Sequence, residues 1–144
     1  MKLVENKKLH LSFMITGTYE AGVELFGFEV KSLRSKLGSL EGSKAIVRGG
    51  EAFLVGTYIP PYQAKNTDAS YDPYRTRRLL LSKHELHELA AHESSKTLTL
   101  HPISLYTKKN LIKCEIALCK KKDKRDKRET IKKDIARREL KARA

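Results

Sequence analysis

Residues 45–55 read Ala45-Ile46-Val47-Arg48-Gly49-Gly50-Glu51-Ala52-Phe53-Leu54-Val55. Two apolar, β-prone runs flank a Gly-Gly pair, and glycine readily takes the positive φ of a tight hairpin turn. The spacing predicts a hairpin, 45–47 against 52–55. Downstream, Ile112, Cys114, Ile116 and Leu118 alternate with Lys113, Glu115 and Ala117. That alternation gives residues 111–119 one buried face. Residues 97–106 read as another strand, with a bulge or an edge at Pro102. Upstream, 9–15 is mixed apolar and β-prone, and 19–28 carries Val23, Leu25 and Phe26. Glycines at 17, 22 and 27 mark bulges or bends there. A short helix is expected near 29–36, with Val30 and Leu33 on one face. A second starts at Ser82, where Ser82 and Glu85 have capping-box spacing and 79–81 supply a staple residue. Residues 60–78, with Pro60, Pro61 and Pro73, read as loop. The pattern as a whole predicts a mainly β fold with some α: an OB-like antiparallel barrel, two or three flanking helices and a basic C-terminal tail.

Charge separates the tail from the barrel. The chain has 144 residues and a net charge of +13, and 119–144 alone hold 13 Lys+Arg against 5 Asp+Glu. Alternating apolar residues stop at Cys119/Lys120. We therefore expect a barrel domain over 1–119 and a tail over 120–144. Residues 120–128 repel one another and are expected to be disordered alone. Residues 129–143 are compatible with a helix, with Ile131 and Ile135 on one face, and are expected to order once phosphates neutralise them. A positive surplus of this size attracts polyanions. A membrane surface is disfavoured, because the tail lacks the aromatic and leucine face of an interfacial helix. No run of 18 apolar residues is present, and 1–6 do not resemble an export signal. A cytoplasmic protein is expected. Cys114 and Cys119, five apart on one strand, point to opposite faces and cannot pair, so two buried thiols are expected.

Catalytic patterns are missing. His84, His87 and His92 surround Glu85 and Glu88, but the metalloprotease helix needs histidines at i and i+4, and these are three and five apart. There is no G-x-S-x-G and no phosphate-binding glycine loop. No metal, cofactor or enzymatic activity is expected. The clusters that remain suit RNA. Arg75-Thr76-Arg77-Arg78 follows Tyr71 and Tyr74, and arginine forks bind phosphate while aromatic rings stack on unpaired bases. Lys108, Lys109 and Lys113 gather at a predicted hairpin tip. The tail is the third cluster. A structural ribosomal protein or a general RNA chaperone would carry similar charge.

Several blocks then resemble one family. Tyr19-Glu20-Ala21-Gly22, Gly27-Phe28-Glu29-Val30-Lys31-Ser32-Leu33-Arg34, Gly50-Glu51-Ala52-Phe53-Leu54, Ile59-Pro60-Pro61-Tyr62, Arg75-Thr76-Arg77-Arg78-Leu79-Leu80-Leu81 and Asp126-Lys127-Arg128-Glu129 fall in the order of the SsrA-binding protein (small protein B) family. The resemblance covers about residues 6–138. It implies an OB-like, non-catalytic RNA-binding adaptor of bacterial trans-translation. Such an adaptor binds the tRNA-like domain of transfer-messenger RNA (tmRNA). With elongation factor Tu and GTP it helps deliver alanyl-tmRNA to stalled ribosomes, while its tail probes the empty mRNA channel at the rRNA of the decoding centre. A monomer is expected.

By that resemblance the RNA-facing positions are Asn6, Glu20, Leu80, Lys113 and Lys120, to which the arginine cluster adds Arg75, Arg77 and Arg78. The ribosome-binding tail positions are Lys121, Lys122, Lys124, Arg125, Asp126, Lys127, Arg128, Lys132 and Lys133. Glu20 either accepts from a base amino group or orients a neighbouring arginine. Leu80 is either a platform for a base or core. The chain departs from the family pattern at Lys121, where glycine is usual, at Asp123, where lysine is usual, and at Arg125, where an aromatic residue is usual.

Overall fold

The computed structural model describes residues 1–63, 65 and 68–143. Among these residues, seven strands and four α-helices follow one another as β1 (Lys2–Glu5), α1 (Leu9–Ser12), β2 (Phe13–Val23), α2 (Gly27–Arg34), β3 (Lys44–Arg48), β4 (Glu51–Val55), β5 (Arg77–Leu80), α3 (Lys83–Glu93), β6 (Leu98–Lys108), β7 (Leu111–Lys121) and α4 (Lys124–Arg143). All strand pairs are antiparallel. Strands β6-β3-β4-β5-β2-β7 run in order, and β7 returns to β6 to close a ring, with β1 added on β6. This is the expected OB-like barrel. Its weakest seam joins β3 to β6 through the single pair Ala45–Leu100.

Several predicted signals have a structural counterpart. Gly49 and Gly50 take φ of 61° and 76° at the β3–β4 turn. The β6–β7 turn uses Lys109 and Asn110, both at positive φ. A bulge lies between Pro102 and Ser104 on β6, and another between Ile15 and Gly17 on β2. Ser82 caps α3, its hydroxyl accepting from Glu85 N while the Glu85 carboxylate accepts from Ser82 N. Leu81 and Leu86, on either side of that cap, both pack against the core.

The barrel interior is filled by Ala21, Leu54, Leu79, Leu100, Leu105, Cys114 and Ile116, with Leu33 and Leu89 brought in by α2 and α3. A second, smaller cluster lies on the other side of β7, where Leu9 of α1 covers Ala117 and Cys119, with Phe13 and Ile103 against it. The two cysteines thus face opposite sides as expected, both buried, and burial pushes the Cys119 thiol up to about 11 and that of Cys114 to about 12.

Several boundaries differ from the sequence expectation. The stretch read as loop over 60–78 ends in strand β5, because Arg77 and Arg78 pair with Leu54 and Phe53 of β4. Residues 9–12 form a helical turn rather than strand, because Leu9 must reach back over β7. Helix α2 starts two residues earlier than expected, because the Glu29 carboxylate accepts from Phe26 N at 2.7 Å and caps it there. Strand β7 continues past Cys119 through Lys121, because Lys120 and Lys121 pair with Met14 and Phe13. Beyond it α4 spans 20 residues, about 30 Å. Polar contacts link the segment beyond β7 to α1. Lys122 Nζ donates to His10 O at 2.8 Å, and His10 Nε2 lies 2.7 Å from Asp134 Oδ2. Ile131, Ile135 and Leu140 stay exposed.

Candidate RNA-binding face

The outer surface of β5, β2, β7 and β6 gathers several of the predicted residues. Glu20 pairs with Glu115 across β2 and β7, Gly22 with Lys113, and Lys113 with Tyr106. Period-two alternation puts these side chains on one face. Leu80 lies opposite Gly22, and a Cβ added to Gly22 would come 3.3 Å from Leu80 Cβ. Glycine at 22 therefore lets Leu80 lie flat across the strand. Leu80 is 47 % exposed, so it belongs to the surface and not to the core. Together with Val23, Leu25, Val30, Leu111 and Lys113 it lines a shallow apolar hollow of about 240 Å³.

Glu20 is the residue whose role chemistry left open. Its carboxylate accepts from the Tyr106 hydroxyl and from Lys108 Nζ at 3.2 Å. The Tyr106 hydrogen bond first, then that of Lys108, hold its carboxyl below the usual glutamate range. Glu20 thus organises a lysine and a tyrosine rather than an arginine. Burial and Glu20 push the Tyr106 phenol up, so it stays a donor. The Glu20 carboxylate is neutralised locally, and Lys113 on the same face carries no side-chain hydrogen bond or ion pair among the described residues.

Asn6 and Lys120 lie elsewhere. Asn6 follows β1 and is fixed by its N–H to Ile103 O at 2.8 Å and by Nδ2 to Pro102 O at 3.2 Å. Lys120 is seven residues along β7 from Lys113, about 23 Å at the rise of a strand. The predicted positions therefore do not form one patch: Glu20, Leu80 and Lys113 share a face, and Asn6 and Lys120 each lie apart from it.

The arginine cluster needs correcting. Arg77 is fully buried. Its Nε donates to Glu29 Oε2 at 2.8 Å, and its Nη atoms donate to Thr57 O and Pro73 O at 2.8 and 2.9 Å. Arg75 Nε donates to the same carboxylate at 3.0 Å, and its guanidinium stacks on the Phe26 ring at 3.9 Å. The Tyr71 hydroxyl lies 2.8 Å from Glu29 Oε2. Burial alone would raise the Glu29 pKa, but the bonds from Arg75, Phe26 N and Tyr71 outweigh it and hold the group ionised. Arg75 and Arg77 therefore leave the RNA-facing set, because their donors are spent inside the protein, tying the 60–78 loop to α2. Only Arg78 points outward, paired with Glu51 at 2.9 Å. Sequence reasoning missed Glu29 as their partner. The available signal was alternation, since Arg77 and Leu79 are buried while Arg78 and Leu80 are not.

In the tail, Lys121, Lys124, Arg125, Lys127, Arg128, Lys132 and Lys133 are exposed, while Lys122 and Asp126 are half-buried, Lys122 against α1. Asp123 Oδ1 accepts from Asp126 N at 2.7 Å, the geometry of an N-cap, so the departure at 123 starts α4. Arg125 is exposed and reaches Glu129 at 3.6 Å. On α3, His84 Nε2 lies 3.0 Å from Glu88 Oε1, and no three His, Cys, Asp or Glu side chains converge on a metal-sized point among the described residues. Among them, too, no helix is long and apolar enough to cross a membrane.

A closed barrel with a lysine-bearing outer face and a basic helix beyond its last strand defines a small OB-like protein built to meet a polyanion. The chain belongs to the SmpB protein family, whose model matches residues 3–144. It is 44% identical over 138 residues to an SsrA-binding protein of Pseudomonas entomophila, covering 96% of this chain and 86% of the relative. It is 41% identical over 130 residues to an SsrA-binding protein of Gloeothece citriformis, covering 90% and 84%. A chain from a solved structure described as "tmRNA-SmpB: a journey to the center of the bacterial ribosome" superposes with a TM-score of 0.71 at 38% identity, covering 91% of this chain and 95% of that one.

Proposed function

We propose that this protein is a non-catalytic, cytoplasmic, monomeric adaptor. It binds the tRNA-like domain of tmRNA and, with elongation factor Tu and GTP, helps deliver alanyl-tmRNA to stalled ribosomes for trans-translation. Family membership across the whole chain carries this reading. The face around Leu80, Glu20 and Lys113 supports it. An exposed aliphatic platform suits the flat side of an unpaired base or a ribose, and Lys113 and Lys108 suit phosphate. Asn6 and Lys120 would extend the contact along the barrel.

The tail has a separate task in this reading. Residues 122–144, beyond the end of β7, form their own unit in this reading, disordered alone and helical when phosphates surround it. Lys121, Lys122, Lys124, Arg125, Asp126, Lys127, Arg128, Lys132 and Lys133 would meet the rRNA of the decoding centre and the empty mRNA channel. Support comes from α4's polar seat and exposed isoleucines, which offer little apolar anchorage.

Binding to tmRNA and to a size-matched control RNA at about 150 mM salt tests the claim, because purely electrostatic binding is weak there. A clear preference for tmRNA is expected. Equal affinities would reduce the protein to a general RNA chaperone. Removing 122–144 keeps β7 whole, and is expected to leave tmRNA binding nearly intact while abolishing tagging on stalled ribosomes.

A further inference from the structure

The loop tied to α2 encloses a hollow that shares no residue with the one around Leu80 and Lys113. It holds about 410 Å³ between Phe26, Phe28, Tyr71, Arg75, Asp68 and Asp72. That falls near the small end of the roughly 300–1,000 Å³ typical of binding pockets. Its aromatic walls form a corner. Phe26 and Phe28 lie 5.6 Å apart at 36°, and Phe28 meets Tyr71 edge-on at 4.7 Å and 87°. Phe26 is left 49% exposed, so the corner opens to solvent.

The corner is built before any partner arrives. The Tyr71 hydroxyl lies 2.8 Å from both Glu29 Oε2 and Ile59 O, so its donor is spent inside and its ring is fixed. Arg75 turns its Nε to Glu29 and lies on the Phe26 ring. Asp68 Oδ1 and Asp72 Oδ1 each accept a backbone N–H, from Ser70 and Tyr74, both at 2.9 Å. The Ser70 contacts hold the Asp68 carboxyl below the usual aspartate range. Neither aspartate has an ion pair among the described residues. Five charged groups meet here, Arg75 and Arg77 against Glu29, Asp68 and Asp72, which leaves one negative charge in a chain of +13.

Those charges choose the class of partner. A nucleotide would gain rings to stack on, but only by bringing its phosphate to Asp68 and Asp72, which repel it. A cation gains twice, because ring faces attract it and carboxylates pair with it. Aromatic pockets that take an arginine anchor are typical of the centres of protein interfaces. We infer that this hollow receives an arginine or lysine side chain of a protein that meets the adaptor on the ribosome. The hydrocarbon stem lies along Phe28 and Tyr71, and the charged head reaches Asp68 and Asp72. The inference rests on the ribosome-binding reading above, and it gives the 60–78 loop a task other than RNA contact.

Photoreactive p-benzoylphenylalanine in place of Ala69 puts a probe beside the hollow, on an exposed residue that does not line it. Light joins its ketone to C–H bonds of protein or ribose alike. The full-length protein, loaded with tmRNA on stalled ribosomes, is expected to crosslink to a second protein, at a peptide carrying arginine or lysine. The Asp68→Asn/Asp72→Asn double variant keeps both turn acceptors and removes both charges. It is expected to lower the crosslink yield about fivefold or more, with unchanged thermal unfolding and tmRNA affinity no weaker than the parent's. A crosslink to RNA only, to the protein's own chain or to nothing overturns the hollow, as does an undiminished yield in the double variant. If the wild type neither binds tmRNA nor supports tagging, the adaptor reading fails first and takes the hollow with it. Tagging by the wild type without a protein crosslink sinks the hollow alone.

Discussion

Two regions of this molecule concentrate arginine and lysine, and they use them in opposite ways. Around Glu29, Arg75 and Arg77 are turned inward, and the three side chains with Tyr71 tie a loop, a strand and a helix together. In α4, lysines and arginines are turned outward, with Arg125–Glu129 at 3.6 Å as the ion pair along the helix. Both stretches are arginine-rich in sequence. The difference lies in the partner. A fully buried carboxylate is available to Arg77, and none to the tail. Basic residues near a loop are therefore not evidence of an interface until their counter-charges are located.

The largest effect that tests this contrast is on the inward set. Glu29→Ala leaves two guanidinium groups facing each other with no carboxylate, Arg77 fully buried. Breaking a buried pair from one side typically costs about 3–5 kcal/mol. Urea unfolding of the variant is expected to show a loss of that order. The same measurement on Lys113→Ala is expected to stay within about 0.5 kcal/mol, as for ordinary surface changes. Comparable losses in both would mean that the two regions do not differ as described.

Acid sharpens the same point. The Glu29 pKa is depressed in the folded protein. Its contribution is therefore fully present above the unfolded glutamate value, about 4.3, and is lost as pH falls through the lower folded value. Thermal stability of the wild type is expected to drop below about pH 4, and Glu29→Gln to flatten that limb. An acid limb identical in the two proteins would assign it to other carboxylates.

On the outward side the observable is RNA affinity and its salt dependence. Lys113→Ala is expected to weaken tmRNA binding several-fold. It would also reduce the slope of log K against log salt by about 0.7–0.9, the signature of one phosphate contact. Loss of affinity with an unchanged slope would point to base or ribose contact in place of phosphate.

These contrasts also explain what the sequence could reveal. The β3–β4 hairpin, the Ser82 cap, the Pro102 bulge and the β7 alternation were all legible, because each depends on residues close in the chain. Helix α1 was not, since four residues carry no readable period and Leu9 is helical only because Ala117 and Cys119 lie beneath it. The burial of Arg77 was hidden for a related reason. Its partner, Glu29, is 48 residues away, inside a block whose other members read as an ordinary amphipathic helix. In the candidate site, Glu20 and Leu80 came from resemblance, while Lys113 also stood in the basic cluster at the predicted hairpin tip. Only the fold shows that Gly22 makes room for Leu80, and that Tyr106 and Lys108 satisfy Glu20.

The smallest effects lie at the start of α4, where two departures from the family pattern stand two residues apart. Asp123 caps the helix through Asp126 N, and Asp123→Ala is expected to remove about 0.5–2 kcal/mol of helix stability. The readout is the helical circular dichroism of the full chain with RNA bound, compared with wild type. Arg125 is 87% exposed and its ion pair with Glu129 spans an open helical turn, so Arg125→Tyr is expected to change stability by less than about 0.5 kcal/mol. A planar guanidinium and a phenol ring both stack on a base. Tagging on stalled ribosomes is therefore expected to survive Arg125→Tyr and to fall with Arg125→Ala. If alanine tags as well as arginine and tyrosine, position 125 does not stack, and the outward charge of α4 acts only through phosphate.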